Sequence, residues 1–176
     1  MEKVSDELAA CRLFALDGSD VAFRTLVEGK RTLVVFVRHF GCIFCRSRLA
    51  KLRQHNRTLT AAAVNVVVIG NGTVPMAEAF VEETGLDVPL YTDPTRQAYR
   101  EAGMRRNFGL GPRAVLQAAR AYAGGQRQGK TAGDVWQQGG VLLINAEGCI
   151  DYYLADTGAG DSIDFGHLMD QIGEAS

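Results

Sequence analysis

The sequence predicts an α/β domain, on three observations. Residues 32–38 (TLVVFVR) and 64–70 (VNVVVIG) are apolar on both faces and rich in β-branched side chains, as strands buried within a sheet are. Between them, over residues 45–60, Cys45, Leu49, Leu52, Asn56 and Leu59 recur at spacings of three and four, the stripe of an amphipathic helix. Strand, helix and strand at this length form a βαβ unit. A chain of 176 residues with 47% hydrophobic content is then long enough for one sizeable core, so residues 1–176 are expected to form a single domain.

The other elements follow in order. Residues 1–10 suit a short helix. RLFALDGSDVAFRTL places Asp17-Gly18 between two strand-like pieces, a hairpin signal. A helix is expected over 75–84, with Pro75 in its first turn and Gly85 at its end. VPLYT is a strand, and Asp93-Pro94 offers an N-cap and first-turn proline for a helix to about Ala102. GGVLLIN and CIDYYLA are strands around the turn Ala146-Glu147-Gly148. Ile163, Leu168, Met169 and Ile172 mark the apolar face of a closing helix. Residues 104–139 fit this plan least: they hold no strand signal, are rich in glycine, and suggest only a helix over 113–123. A long insert in a domain is usually functional or disordered.

Charge is unevenly placed. Every formal charge from Arg38 to Arg57 is basic, Glu101 is the sole acid between Arg96 and Lys130, and every formal charge from Glu147 onward is acidic. With a net charge of −1 and no recognisable nucleic-acid module, the expectation is that folding packs the acidic tail beside the basic segments, with no nucleic-acid partner. The opening MEKVSDELAACRLFAL carries acidic residues and no apolar run of signal length, and no stretch approaches a membrane span. A cytoplasmic protein without membrane association is expected.

Cys42 and Cys45 hold the chemistry. Three readings compete. As metal ligands, His39, Cys42 and Cys45 form H-x2-C-x2-C, but the fourth ligand of a zinc site is not evident, since Cys11 and Cys149 stand alone. As buried small hydrophobes, Cys45 fits the inward stripe, whereas Cys42 falls in the turn between strand and helix. As a redox pair, Cys42 lies where free N–H groups and the helix dipole favour a thiolate, and Cys45 lies within reach to close a disulfide. The strand–CxxC–helix context favours the redox reading, with no metal and no cofactor.

FVRHFGCIFCRSRLAKL, VPLYTDPTRQAYREAGM and QQGGVLLINAEGCIDYYLAD together resemble the peroxiredoxin-like proteins of the alkyl hydroperoxide reductase and thiol-specific antioxidant superfamily. The resemblance spans about residues 13–172. It implies a thioredoxin-like fold: a central mixed sheet with helices on both faces and the CxxC at the first helix of the core βαβ unit. It also implies a thiol-dependent oxidoreductase reducing a disulfide or peroxide, recycled by a cellular thiol reductant of the thioredoxin or glutathione system. One branch reduces a lipid endoperoxide, so a dedicated reductase of a small organic substrate is an alternative. A non-enzymatic redox sensor or partner-binding module is another.

The departures from that pattern shape the expectations. Peroxiredoxins carry P-x-x-x-T-x-x-C, and aligned by spacing Cys45 would match their reactive cysteine and Cys42 their threonine. Arg38 stands where the proline would be, and Gly139 stands at about the place of a peroxiredoxin arginine. Thioredoxin logic names Cys42 as the attacking thiol; peroxiredoxin logic names Cys45. Helical periodicity favours Cys42 as the accessible nucleophile and Cys45 as the resolving thiol. His39, Arg38 and Arg46 are candidates for acid–base work or for stabilising the thiolate. Phe40, Phe44, Gln138, Gly139 and Arg113 are candidates for binding the substrate.

Overall fold

A computed structural model describes residues 2–106, 133–157 and 164–174 of the chain. In order these form β1 (Glu2–Lys3), α1 (Asp6–Ala10), β2 (Arg12–Phe14), β3 (Asp20–Ala22), α2 (Phe23–Val27), β4 (Thr32–Phe36), α3 (Ile43–Ala61), β5 (Asn65–Gly70), α4 (Val74–Thr84), β6 (Leu90–Thr92), α5 (Gln97–Glu101), β7 (Gly140–Ile144), β8 (Cys149–Ala155) and α6 (Phe165–Glu174). Among the described residues the strands make one mixed sheet in the order β1-β8-β7-β4-β5-β6-β2-β3. β4 runs parallel to β5, and β5 to β6; β7 lies antiparallel to β4 on the other side. This is the thioredoxin-like arrangement, with β4-α3-β5 as its core βαβ unit.

Alternation along the central strands sorts the core into two layers. Leu33 and Val35 of β4, Val66 and Val68 of β5, and Val141 and Leu143 of β7 meet Leu49 and Leu52 of α3, Phe80 of α4, and Leu168 and Ile172 of α6. Val34, Phe36, Val67, Ile69, Leu142 and Ile144 face the other way, against Leu8, Phe23, Leu26 and Tyr99 of α1, α2 and α5. Strands covered on both faces read as continuous apolar runs, which is why β4 and β5 are legible in the sequence.

The turns hold as their residues predict. Gly18 (φ +79°) closes the β2–β3 hairpin. Gly85 ends α4 in the left-handed region (φ +61°), its N–H donating to the Val81 carbonyl at 2.8 Å. Two expectations are corrected. The N-terminal helix begins only at Asp6, because the Val4 N–H donates to Gly148 (2.9 Å) and draws the preceding residues into β1 beside β8. The helix expected from Asp93-Pro94 starts at Gln97. Its N-cap residue is Arg96, in the left-handed region (φ +59°), and buried Asp93 reaches the first turn from outside the helix, Oδ1 accepting from the Thr95 hydroxyl (2.7 Å) and Oδ2 from the Ala98 N–H (2.8 Å). The helix expected over 113–123, with Arg113 and Arg120, lies outside the described residues, as does Ile163.

Basic and acidic segments do pack together. Arg48 of α3 forms a buried ion pair with Asp156, just beyond β8, and Arg31 lies 3.8 Å from Asp151 of β8.

Candidate active site

The site forms where β4 ends. Tyr99, fully buried on α5, donates its hydroxyl proton between the Val37 carbonyl (2.7 Å) and the Ile69 carbonyl (2.9 Å). Asn71, in the Asn-Gly turn after β5, donates from Nδ2 to the Arg38 carbonyl and accepts from the Asp134 N–H at 2.8 Å. Buried carbonyls at a strand end need such partners, and these two fix the exit of β4. The chain then turns, the Cys42 N–H donating to the His39 carbonyl at 3.1 Å, and Cys42 becomes the N-cap residue of α3.

Cys42 and Cys45 are both free thiols and both 3% exposed. The expectation that exposure distinguishes them is therefore corrected. The turn at His39–Cys42 folds Cys42 back into the apolar layer that also takes Cys45, Phe40 and Leu49. Electrostatics separates them instead. The Cys45 S–H, hydrogen-bonded to Cys42, holds the Cys42 thiol down to about 6 against the opposing effect of burial, helped by the Cys45 N–H, the Arg38 charge and the Phe44 N–H. The sulfur does not close a formal capping bond, so the helix N-terminus acts on it as a field of N–H dipoles. Cys45 moves the opposite way. Burial, the hydrogen bond to Cys42 and the Cys42 charge push it well above an ordinary thiol, against the Arg48 charge and the Arg38 N–H, which donates to its sulfur at 3.2 Å. The arrangement favours a Cys42 thiolate beside a protonated Cys45.

The neighbouring candidates divide. Arg38 is buried, with Nε donating to the Gln137 carbonyl (3.3 Å) and Nη2 to the Val135 carbonyl (2.9 Å), so it ties down residues 135–137 while its charge favours the Cys42 thiolate. His39, a candidate for acid–base work or for stabilising the thiolate, brings no positive charge to the site. Burial, then the Arg38 charge, lowers it to about 4, so it is neutral at physiological pH, and its buried Nδ1 has no hydrogen-bond partner among the described residues. Arg46 is corrected as well: it pairs with Glu83 of α4 at 2.5 Å and lies over the Phe80 ring, 5.5 Å from the centroid.

Phe40 is a core residue rather than a substrate contact: it is 2% exposed, 5.2 Å centroid to centroid from Phe80, and wedged against Gly70 and Gly72. Phe44 is half-buried on the first turn of α3. Gln138 spends its amide internally, Oε1 accepting from the Arg105 N–H (2.8 Å) and Nε2 donating to the Asp156 carbonyl (2.5 Å). Gly139 has no room for a side chain, because a Cβ there would lie 2.7 Å from the Phe36 carbonyl oxygen and 2.9 Å from Asp156 Oδ2. Arg113 lies outside the described residues. Among those described, no group of three His, Cys, Asp or Glu is placed to hold a metal ion.

The sequence reasoning overlooked Asn71, Tyr99 and Asp156. An Asn-Gly pair after a buried strand is a local signal for Asn71; the roles of Tyr99 and Asp156 arise only from contacts distant in sequence.

Comparison with known proteins bears on the family and the fold. Residues 51–158 match the family described as AhpC/TSA antioxidant enzyme, a match that begins beyond Cys45. The chain is 31% identical to the thioredoxin-like protein AAED1, chloroplastic, of Arabidopsis thaliana, over 89% of this chain and 68% of that one. It is 30% identical to the prostamide/prostaglandin F synthase of Aquarana catesbeiana, over 90% of this chain and 82% of that one. In structure it resembles the peroxidoxin BcpB of Mycobacterium tuberculosis, with a TM-score of 0.66 at 16% identity, covering 98% of this chain and 96% of that one, which speaks to the fold alone.

Proposed function

The chain belongs to the AhpC/TSA antioxidant enzyme family and is a peroxiredoxin-like oxidoreductase, and from that premise we propose that it reduces a disulfide or peroxide with the Cys42–Cys45 dithiol. The observation that carries the reading is the placement of two free, buried thiols at the start of α3, Cys42 as its N-cap residue and Cys45 in its first turn, within the same apolar layer. With a disulfide RSSR′, the Cys42 thiolate attacks one sulfur, R′S⁻ leaves, and a mixed disulfide Cys42–S–S–R forms. Cys45, deprotonated, then attacks Cys42 Sγ and expels RS⁻, leaving the Cys42–Cys45 disulfide. With a peroxide ROOH, Cys42 takes the terminal hydroxyl as a sulfenic acid, the alkoxide leaves and is protonated, and attack by Cys45 releases water. In either case the dithiol loses one electron pair, and a cellular thiol reductant of the thioredoxin or glutathione system restores it. A reducing compartment such as the cytoplasm would meet that requirement, and we propose it for this chain.

A second reading, reduction of a small organic endoperoxide, is favoured by the similarity to the prostamide/prostaglandin F synthase. Both readings rank hydrogen peroxide last. Fast peroxide cleavage needs donors placed for the departing oxygen, and Gly139 leaves no space for an arginine there. The test is stopped-flow oxidation of reduced protein by hydrogen peroxide, an organic hydroperoxide and a small disulfide. The disulfide or the organic substrate should react faster. A hydrogen peroxide rate above both others would reverse the assignment.

A further inference from the structure

We propose that Arg48, held in place by Asp156, is the positioning residue for the second half of the reaction: its charge enables Cys45 to attack once Cys42 has been taken up by substrate. This rests on the dithiol reading above and assigns a part in it to a residue pair outside the CxxC.

The geometry is specific. Arg48 follows Cys45 by three residues on α3, so both project from one face of the helix. Arg48 and Asp156 are ion-paired, each with a side chain only 4% exposed. Asp156 is anchored in turn: its N–H donates to the Gly139 carbonyl (3.0 Å) and its carbonyl accepts from Gln138 Nε2 (2.5 Å). A buried ion pair is weak evidence for stability, since apolar side chains of similar volume often serve as well. A buried cation next to a thiol that must ionise has another use.

Cys45 presents the difficulty. In the resting dithiol, burial, the Cys42 hydrogen bond and the Cys42 charge all keep the proton on it. When Cys42 is bonded to substrate, its sulfur is neutral and the last two influences vanish. Burial then stands against the Arg38 N–H and the Arg48 guanidinium, of which only the latter brings a full charge. Arg48 itself stays cationic despite burial, because Asp156, Cys45 and Cys42 all favour its charge. The other groups bearing on this pair are the Arg38 charge at the end of β4, Tyr99 of α5, kept neutral by its own burial, and Tyr152 of β8. The Cys45 proton passes to solvent base or to the thiolate released first. The new thiolate forms the S–S bond to Cys42, and the Cys42–substrate bond breaks.

The experiment follows release of thionitrobenzoate from 5,5′-dithiobis(2-nitrobenzoate) in the full chain with Cys149→Ser. Cys11 is buried, with its thiol raised to about 11, and stays silent. The first equivalent reports attack by Cys42 and the second reports resolution by Cys45. In Arg48→Met the second phase should slow roughly tenfold at neutral pH and recover at higher pH, as a decade less Cys45 thiolate would produce. The first phase should persist, and Arg48→Lys should restore much of the second. Equal slowing of both phases, or an unchanged second phase, overturns the proposal. Release of a single equivalent by the parent chain, or of two by Cys42→Ser, overturns the dithiol reading itself. Should Arg48→Met fail to fold, the alkylation profile of Cys45 in Cys42→Ser decides. With the Cys42 charge gone, Cys45 should be alkylated at a lower midpoint pH with Arg48 and Asp156 present than with Arg48→Gln and Asp156→Asn combined; an equal midpoint means that Arg48 does not perform this role.

Discussion

Equal burial of two thiols three residues apart leaves electrostatics to decide which one attacks. Cys42 gains from the Cys45 side chain, the N–H groups at the start of α3 and the Arg38 charge, while burial and the Cys42 charge together outweigh the Arg48 charge and the Arg38 N–H at Cys45. The sign follows directly. A thiol lowered to about 6 is mostly thiolate at neutral pH, so the rate at which iodoacetamide labels Cys42 should rise with a midpoint near 6 and level off by neutral pH. In Cys45→Ala the S–H donor is gone and the midpoint should move upward. Site-resolved mass spectrometry of the labelled peptides reads both results. If Cys45 labels at the lower pH, the peroxiredoxin alignment, with Cys45 as the reactive cysteine, is the better guide. The sequence made the CxxC at a helix start legible. It did not make legible that His39 is neutral, which follows from its burial, or that Arg46 is committed to Glu83 and Phe40 is core, which depend on partners distant in the chain.

At the scale of the element, the turn from β4 into α3 is held from below by an aromatic wedge. The Phe40 ring occupies the space above Gly70 and Gly72, so close that a Cβ on Gly70 would lie 2.2 Å from Cζ of the ring. Close approach, and not backbone conformation, requires glycine at 70. Gly70→Ala should therefore overpack the end of β5 and cost about 2 kcal/mol, read as a thermal midpoint about 6 °C lower. Shrinking the wedge should relieve it: Gly70→Ala combined with Phe40→Leu should lose less than the sum of the single changes. Strict additivity would show that Phe40 does not supply the constraint. The elements themselves were legible wherever burial on both faces or a helical stripe wrote a pattern, as in β4, β5 and α3. The start of α5 was not, because Asp93 reaches that helix from a buried position four residues before Gln97, and the local Asp-Pro signal points to an earlier start.

Across the whole molecule, the sheet brings residues from four separated segments to one place: Arg38 to Arg48 from the core βαβ unit, Asn71 after β5, Asp134 to Gly139 before β7, and Asp156 after β8. The pairing of the basic helix α3 with the acidic C-terminal strand was foreshadowed by the segregation of charge along the chain. The particular pair, Arg48 with Asp156, was not, since the sheet order that joins them places β7 and β8 beside β4 rather than in sequence order. Cys42 and Cys45 should exchange a dithiol for a disulfide as substrate is reduced. The most direct test treats the reduced protein with one equivalent of a small disulfide, quenches it with an alkylating agent under denaturing conditions, and maps the cysteine peptides. A Cys42–Cys45 linkage should form in proportion to the thiol released, with Cys11 and Cys149 alkylated. Thiol release with Cys42 and Cys45 still free, or a linkage through Cys11 or Cys149, would contradict that exchange.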